Sequence, residues 1–305
     1  MNGEKMTAEK FVKLEWGAKL RVLRDHACSE DVIRVGVGDK FWRVRTAAVG
    51  NPGAPEDVIR AGARDEVREV QKAAVGNPSA PEDVIRAGAA GDDLYVQKAA
   101  VGNPSAPEDV IRAGVKDRSS LVREAAIGNP SAPVDVIRAG MRDKHSWVRR
   151  AEVGNPSAPV DVIRAGVRDA DVTVRMLAVG HPGAPEDVIR AGGKDEAECV
   201  RAAAVGNPSA PEDVIWRGVV DEHPWVRAGA VGNPSAPVDV LVVAAKRREK
   251  DLRVMVARHL RLSEDLAEKL SKSKVAAVQE ALAGNPVVPE HIRVVARMKL
   301  EAGRR

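Results

Sequence analysis

Gly-Asn-Pro recurs every 26 residues along this chain, beginning at Gly50, Gly76, Gly102, Gly128, Gly154, Gly206, Gly232 and Gly284, with Gly180-His181-Pro182 in the same register. At Arg24-Asp25-His26 and Arg258-His259-Leu260 the motif is lost but the flanking pattern keeps its step, so about ten units can be counted. A fixed period of this length marks a solenoid, because each unit is one supersecondary element that cannot bury its apolar face alone and must stack on its neighbours. Such an array grows along one axis, so its 305 residues need not split as a globular core of that size would. The expected organisation is a single domain over 1–305. Residues 1–23 would form an N-terminal cap, 24–241 the regular repeats, and 242–305 a divergent basic C-terminal segment.

Numbering each unit from its glycine, the unit beginning at Gly128 has Pro133 at position 6, which suits the first turn of a helix, and Asp135 beside it, which suits the positive helix N-terminus. On a helical wheel Val136, Ile137, Ala139, Gly140 and Met141 share one arc, while Val134, Asp135, Arg138 and Arg142 share the other. Asp143 at position 16 reads as the N-cap of a second helix, with Val148, Ala151 and Val153 apolar, and Gly154-Asn155-Pro156 turns the chain. The fold class expected is all-α, a right-handed α-solenoid of about ten two-helix repeats.

The pattern Asp…Val-Arg, as in Asp117…Val122-Arg123 and Asp143…Val148-Arg149, resembles that of HEAT-type helical repeats. The run Val-Arg-x-Ala-x-Val/Ile-x-Asn-Pro-x-x-Pro-x-x-Val-Ile, as from Val122 to Ile137, more closely resembles the bacterial leucine-rich repeat variant family. That resemblance implies units that alternate an α-helix with a shorter or 3₁₀ helix in a right-handed superhelix. Two departures stand out: the units are 26 residues long rather than about 24, and Gly62, Gly88 and Gly114 stand where that family usually has Leu. The family's founding member carries a cysteine-bound iron–sulfur cluster ahead of its repeats. Residues 1–27 here contain no cysteine, so the cluster is not carried over.

Asp occupies position 8 in ten units, from Asp31 to Asp265, with Arg frequent at position 11, a pattern that reads as helix N-terminal charge compensation and ion pairing on a solvated face. Arg or Gln at position 22, with Asp at position 16, reads as a structural ladder, since a buried guanidinium without a partner is costly. The asparagines of the motif are read as capping carbonyls in the turn, with His181 a polar replacement rather than a base. Within residues 24–241 position 15 is basic at Arg64, Lys116, Arg142, Arg168 and Lys194, a row whose field the acids of positions 7 and 8 largely cancel.

Variation is concentrated on one strip. Position 20 reads Arg43, Glu69, Tyr95, Leu121, Trp147, Thr173, Cys199 and Trp225, and position 23 reads Thr46, Lys72, Lys98, Glu124, Arg150, Met176, Ala202 and Ala228. With position 19 these lie opposite the Val-Ala stripe of the second helix. Neutral drift accounts for variety but does not favour bulky exposed Trp at two units. The candidate partner-binding residues are therefore Arg43, Tyr95, Lys98, Leu121, Trp147, Arg150 and Trp225, an aromatic and cationic set of the kind enriched at interfaces.

No His-Glu-x-x-His, Gly-x-Ser-x-Gly or phosphate loop is present, and Cys28 and Cys199 lie in different units, as do His145 and His223, so neither an enzyme nor a metal or cofactor site is expected. Without an apolar run of 18 residues or a leader-like start, the chain reads as cytoplasmic, free of the membrane, and monomeric. The net charge of +4 divides into −3 over residues 1–241 and +7 from residue 242 onward. The preferred function is a non-catalytic scaffold that binds a protein or peptide along the strip. A nucleic-acid-binding array is the alternative, with Trp147, Arg150, Tyr95 and Lys98 on bases and Lys246, Arg247, Arg248 and Lys250 on phosphates. A structural spacer without a ligand is a third reading, and near-identical units equally fit recent duplication or consensus design.

Overall fold

In the computed structural model residues 6–303 are described, and every regular element among them is a helix. The backbone divides into two compact units, Met1–Pro159 and Val160–Arg305. Within each, short first and second helices alternate in the 26-residue register, an α-solenoid. Glu82–Ala90 and Leu94–Val101 form one such pair in the first unit, and Glu212–Val219 and Pro224–Gly232 one in the second.

Position 6 proline is the N-cap of the first helix rather than a member of its first turn. Pro81 has φ −60° and ψ 147°, and its carbonyl accepts from Val84 and Ile85 N–H at 3.0 and 3.1 Å. The ring presets φ and contributes no surplus N–H, so the helix starts without a capping side chain, and the acids at positions 7 and 8 meet the positive end of its dipole. Position 16 aspartate is likewise not the cap of the second helix. Asp143 follows the first helix, and its carboxylate accepts from His145 N–H at 3.0 Å, bending the chain two residues ahead; His145 is the N-cap. Asp65, Asp117, Asp195 and Asp221 bend the chain in the same way.

The core is the stripe that the wheel describes, with one exception. Val136, Ile137 and Gly140 are buried and Val134 exposed, but Ala139 is exposed as well. The glycines at position 13 explain the departure from leucine. A Cβ on Gly88 would stand 2.7 Å from Val75 Cγ1 and 3.3 Å from Ala100 Cβ, so this first helix lies directly on the second helices before and after it. Gly114 stands in the same way against Val101 and Ala126, and Gly62 against Val49 of the preceding second helix.

The Pro-initiated helices are α-helical rather than 3₁₀, apart from Val134–Arg138, which continues as a 3₁₀ turn over Ala139–Arg142. That helix faces Glu152, a fully buried carboxylate at position 25, where Ala48, Ala74, Ala100 and Ala126 stand in the earlier units. Glu152 Oε2 comes within 2.8 Å of the place a Gly140 Cβ would take, so the larger side chain coincides with the one loosened first helix.

Candidate functional site

Three polar systems link successive repeats within the compact units, and the variable strip is what they leave over. The first is an asparagine ladder. Asn103 is 1% exposed; its amide donates to Val75 O at 2.7 Å and Asn77 O at 2.8 Å, and its Oδ1 accepts from Ser105 N–H at 2.8 Å. One side chain thus closes the carbonyl end of an earlier second helix and links its own turn to the preceding one. Asn51, Asn77, Asn129, Asn207, Asn233 and Asn285 repeat this. Histidine substitutes for it: His259 Nε2 meets Asn233 O at 3.0 Å while Nδ1 accepts from Arg261 N–H at 3.0 Å. This arrangement requires the Nε2–H tautomer. Gly183 N–H likewise donates to His181 Nδ1, at 2.9 Å, so the imidazole has a structural part in the turn.

The second system is the Arg–Asp ladder, which runs between repeats. Arg123 donates through Nε and a terminal nitrogen to Asp143, 20 residues on, at 2.6 and 3.1 Å, and through its other nitrogen to Asp117 O. Arg45–Asp65, Arg175–Asp195 and Arg201–Asp221 match it, with both partners 9–15% exposed across the four pairs. Asp143 therefore pairs through its carboxylate with Arg123, and its carbonyl accepts from Arg149 at 2.9 Å. Gln71 and Gln97 keep the carbonyl contact alone, to Asp65 and Gly91. Arg227 turns to Glu249 because position 16 of the next repeat is Arg247. Hydrogen bonds from the Arg45 and Arg123 guanidinium groups hold the Asp65 and Asp143 carboxyls below the usual carboxylate range against the opposing effect of burial.

The third system lies on the outer face. Position 11 arginine reaches the position 8 aspartate of the next repeat, as in Arg34–Asp57 at 3.0 Å, and the glutamate one turn back where there is one. These groups are solvated, so each pair adds little.

The strip positions of the first unit come together on its second helices. One recess, of about 520 Å³, is lined by Trp42, Arg43, Thr46, Ala47 and Gly50 among others. A second, of about 630 Å³, is lined by Lys72, Tyr95, Lys98, Leu121 and Glu124 over a floor of Ala99, Ala125 and Gly128. The small residues of the Ala-Gly stripe create the depth and the variable residues form the walls. The aromatics are held in place by cations and by stacking. Arg43 lies 4.9 Å over Trp42, Arg68 and Lys72 lie 4.9 and 5.8 Å over Tyr95, and the His145 and Trp147 rings stack at 4.3 Å.

Of the expected residues, Arg43, Tyr95, Lys98 and Leu121 line these recesses. Trp147 is 42% exposed, and Arg150 follows it on the same helix. Trp225 belongs to the second unit and is 74% exposed. Lys98 pairs with Glu124 at 2.9 Å across the second recess. Trp42, Arg68 and Lys72 are strip residues outside the expected candidate set, although Lys72 stands at variable position 23. Position 19 was recognised as part of the strip but carries no run of aromatics to single out Trp42, and only the fold puts Arg68 and Lys72 over a tyrosine one repeat on.

Paired helices in a fixed register, tied by Asn and Arg–Asp ladders, define the class: a helical repeat solenoid. No protein-family model and no curated protein matches the sequence. Among solved structures the chain is similar to a leucine-rich repeat variant described as having a novel repetitive structural motif. The two are 20% identical, with 72% of this chain covering 87% of that one at a TM-score of 0.50. Yeast importin-β, Kap95p, gives a looser likeness at 12% identity and TM-score 0.43; 95% of this chain spans 52% of that one. No helix among the described residues is long and apolar enough to cross a membrane.

Proposed function

We propose that the chain is a non-catalytic binding scaffold whose partner is an extended, acidic segment of protein lying along the second helices of the first unit. The observation that carries this reading is the pair of recesses floored by Ala and Gly and walled by aromatic–cation stacks. Rigid aromatic rings with few rotors give contact area at low entropic cost, the composition of interface hot spots. The strip there carries Arg43, Arg68, Lys72, Lys98 and Arg150 against Glu69 and Glu124, a net positive charge on a body of residues 1–241 that is net −3. A ligand with carboxylates spaced along its backbone complements that surface, and charge of this kind sets on-rate and orientation more than affinity.

Selection of a displayed random-peptide library on the full-length chain tests the proposal. Enrichment of Asp- and Glu-rich peptides is expected, with capture abolished by the combined Tyr95→Ala, Lys98→Ala and Trp147→Ala variant at an unchanged melting temperature. Peptides without acidic bias, or capture indifferent to the triple variant, would overturn it.

A further inference from the structure

Along the outer face, successive first helices are joined by a recurring triad: Glu at position 7, Arg at position 11, and Asp at position 8 of the next repeat. Arg86 is representative, donating to Glu82 at 2.8 Å and to Asp109 at 2.9 Å. Arg34, Arg60, Arg112 and Arg190 stand in the same way between two carboxylates. The guanidinium is the cation that lets the two acids approach each other.

Between helices Glu264–Ser271 and Glu290–Ala302 the same geometry survives but its cation does not. Glu264 keeps position 7, while position 11 is Glu268 and position 8 of the next repeat is His291. A carboxylate oxygen from each glutamate and an imidazole nitrogen lie within 4.8 Å of one another, with Glu264 Oε1 and His291 Nε2 3.9 Å apart. Among the described residues no Lys or Arg pairs with Glu264 or Glu268, and the arginines on the helix of His291, Arg293 and Arg297, are both engaged by Glu290.

We infer that Glu264, Glu268 and His291 form a binding site for a divalent transition-metal ion, which takes the place the guanidinium holds in the other triads. The donor set selects the class of ion: an imidazole nitrogen suits zinc, whereas magnesium and calcium prefer oxygen alone. Bonds of about 2.0–2.2 Å put tetrahedral ligand atoms about 3.4 Å apart, so the three groups must close by about 1 Å. All three side chains are exposed and free to turn by that much. Three protein ligands leave room for water, and the ion ties two consecutive first helices together. The expectation of no metal site rests on Cys28 with Cys199 and His145 with His223; this triad shows only when positions 7 and 11 of one repeat are read with position 8 of the next.

Zinc titration of the tag-free, full-length chain by calorimetry, with melting curves in zinc, magnesium and chelator, tests the inference. One saturable zinc site per chain and a zinc-specific rise in melting temperature are expected. His291→Ala should weaken zinc binding by roughly tenfold or more. Glu268→Arg, which restores the Glu–Arg pair of the recurring triad beside Glu264, should abolish the zinc response while leaving the metal-free melting temperature equal or higher. The site would be refuted if the chain bound no zinc at ~1 mM, if zinc binding persisted undiminished in both variants, or if magnesium gave the same shift.

Discussion

A buried side chain that satisfies three backbone groups at once cannot be trimmed without exposing all three, and this makes Asn103 the most sensitive kind of residue in the chain. Asn103→Ala leaves two carbonyls and one N–H without their partner, each costing about 1–3 kcal/mol when buried, so urea unfolding should show a loss of several kcal/mol. The reverse change has the opposite sign. His259 has one N–H to give where asparagine has two, so His259→Asn should raise stability by about 1 kcal/mol as the second donor reaches Val231 O. A double-mutant cycle on Arg123 and Asp143 should show each single change costing on the order of 3 kcal/mol and the double change less than their sum. Strict additivity would mean that the pair is solvated. Because folding lowers the Asp65 and Asp143 carboxyls, the stability they contribute is complete above the unfolded carboxylate range and declines as pH falls through the folded values. Asp143→Asn should therefore flatten the acid limb of a stability–pH curve.

The short helices are poor structures in isolation, since five to nine residues fall below the length at which a helix holds in water, and packing must supply what propensity cannot. Position 13 glycine shows the exchange. Alanine there would raise helix propensity by about 1 kcal/mol, yet its Cβ would meet Val75 at 2.7 Å, and overpacking costs about 1–3 kcal/mol. Gly88→Ala should thus lower the melting temperature, whereas Gly17→Ala, in a helix where an added Cβ meets nothing within 4 Å, should raise it. Denaturant melts of the two variants decide the matter; equal signs would show that close packing is not what selects the glycines.

For the molecule as a whole, charge distribution separates the two leading functions. Residues 1–241 are net −3 while the basic excess of +7 lies beyond residue 241, so the repeat body exerts little long-range pull on a polyanion. No binding of DNA or RNA is expected at about 150 mM salt, where charges are screened beyond about 8 Å. Submicromolar nucleic-acid binding with a steep log–log salt slope, lost on changing Trp147 and Arg150, would reverse the ranking of functions.

Much of this was legible in the sequence. The 26-residue period, the proline and acid at the start of most first helices, and the Val-Ala stripe define a helical array, because short-range preference and burial periodicity act within one unit. The strip was legible too, as the positions where residue type changes while its neighbours repeat. What the tertiary structure decided is who meets whom between units. Asp143 pairs with the arginine of the preceding repeat and not its own, Asn103 reaches carbonyls 26 and 28 residues back, and Arg68 covers Tyr95. Each contact depends on the stacking offset of one unit on the next. A period in sequence states that units repeat, but the offset is set by how closely backbones approach at glycines such as Gly88, and that is a property of packed surfaces in three dimensions.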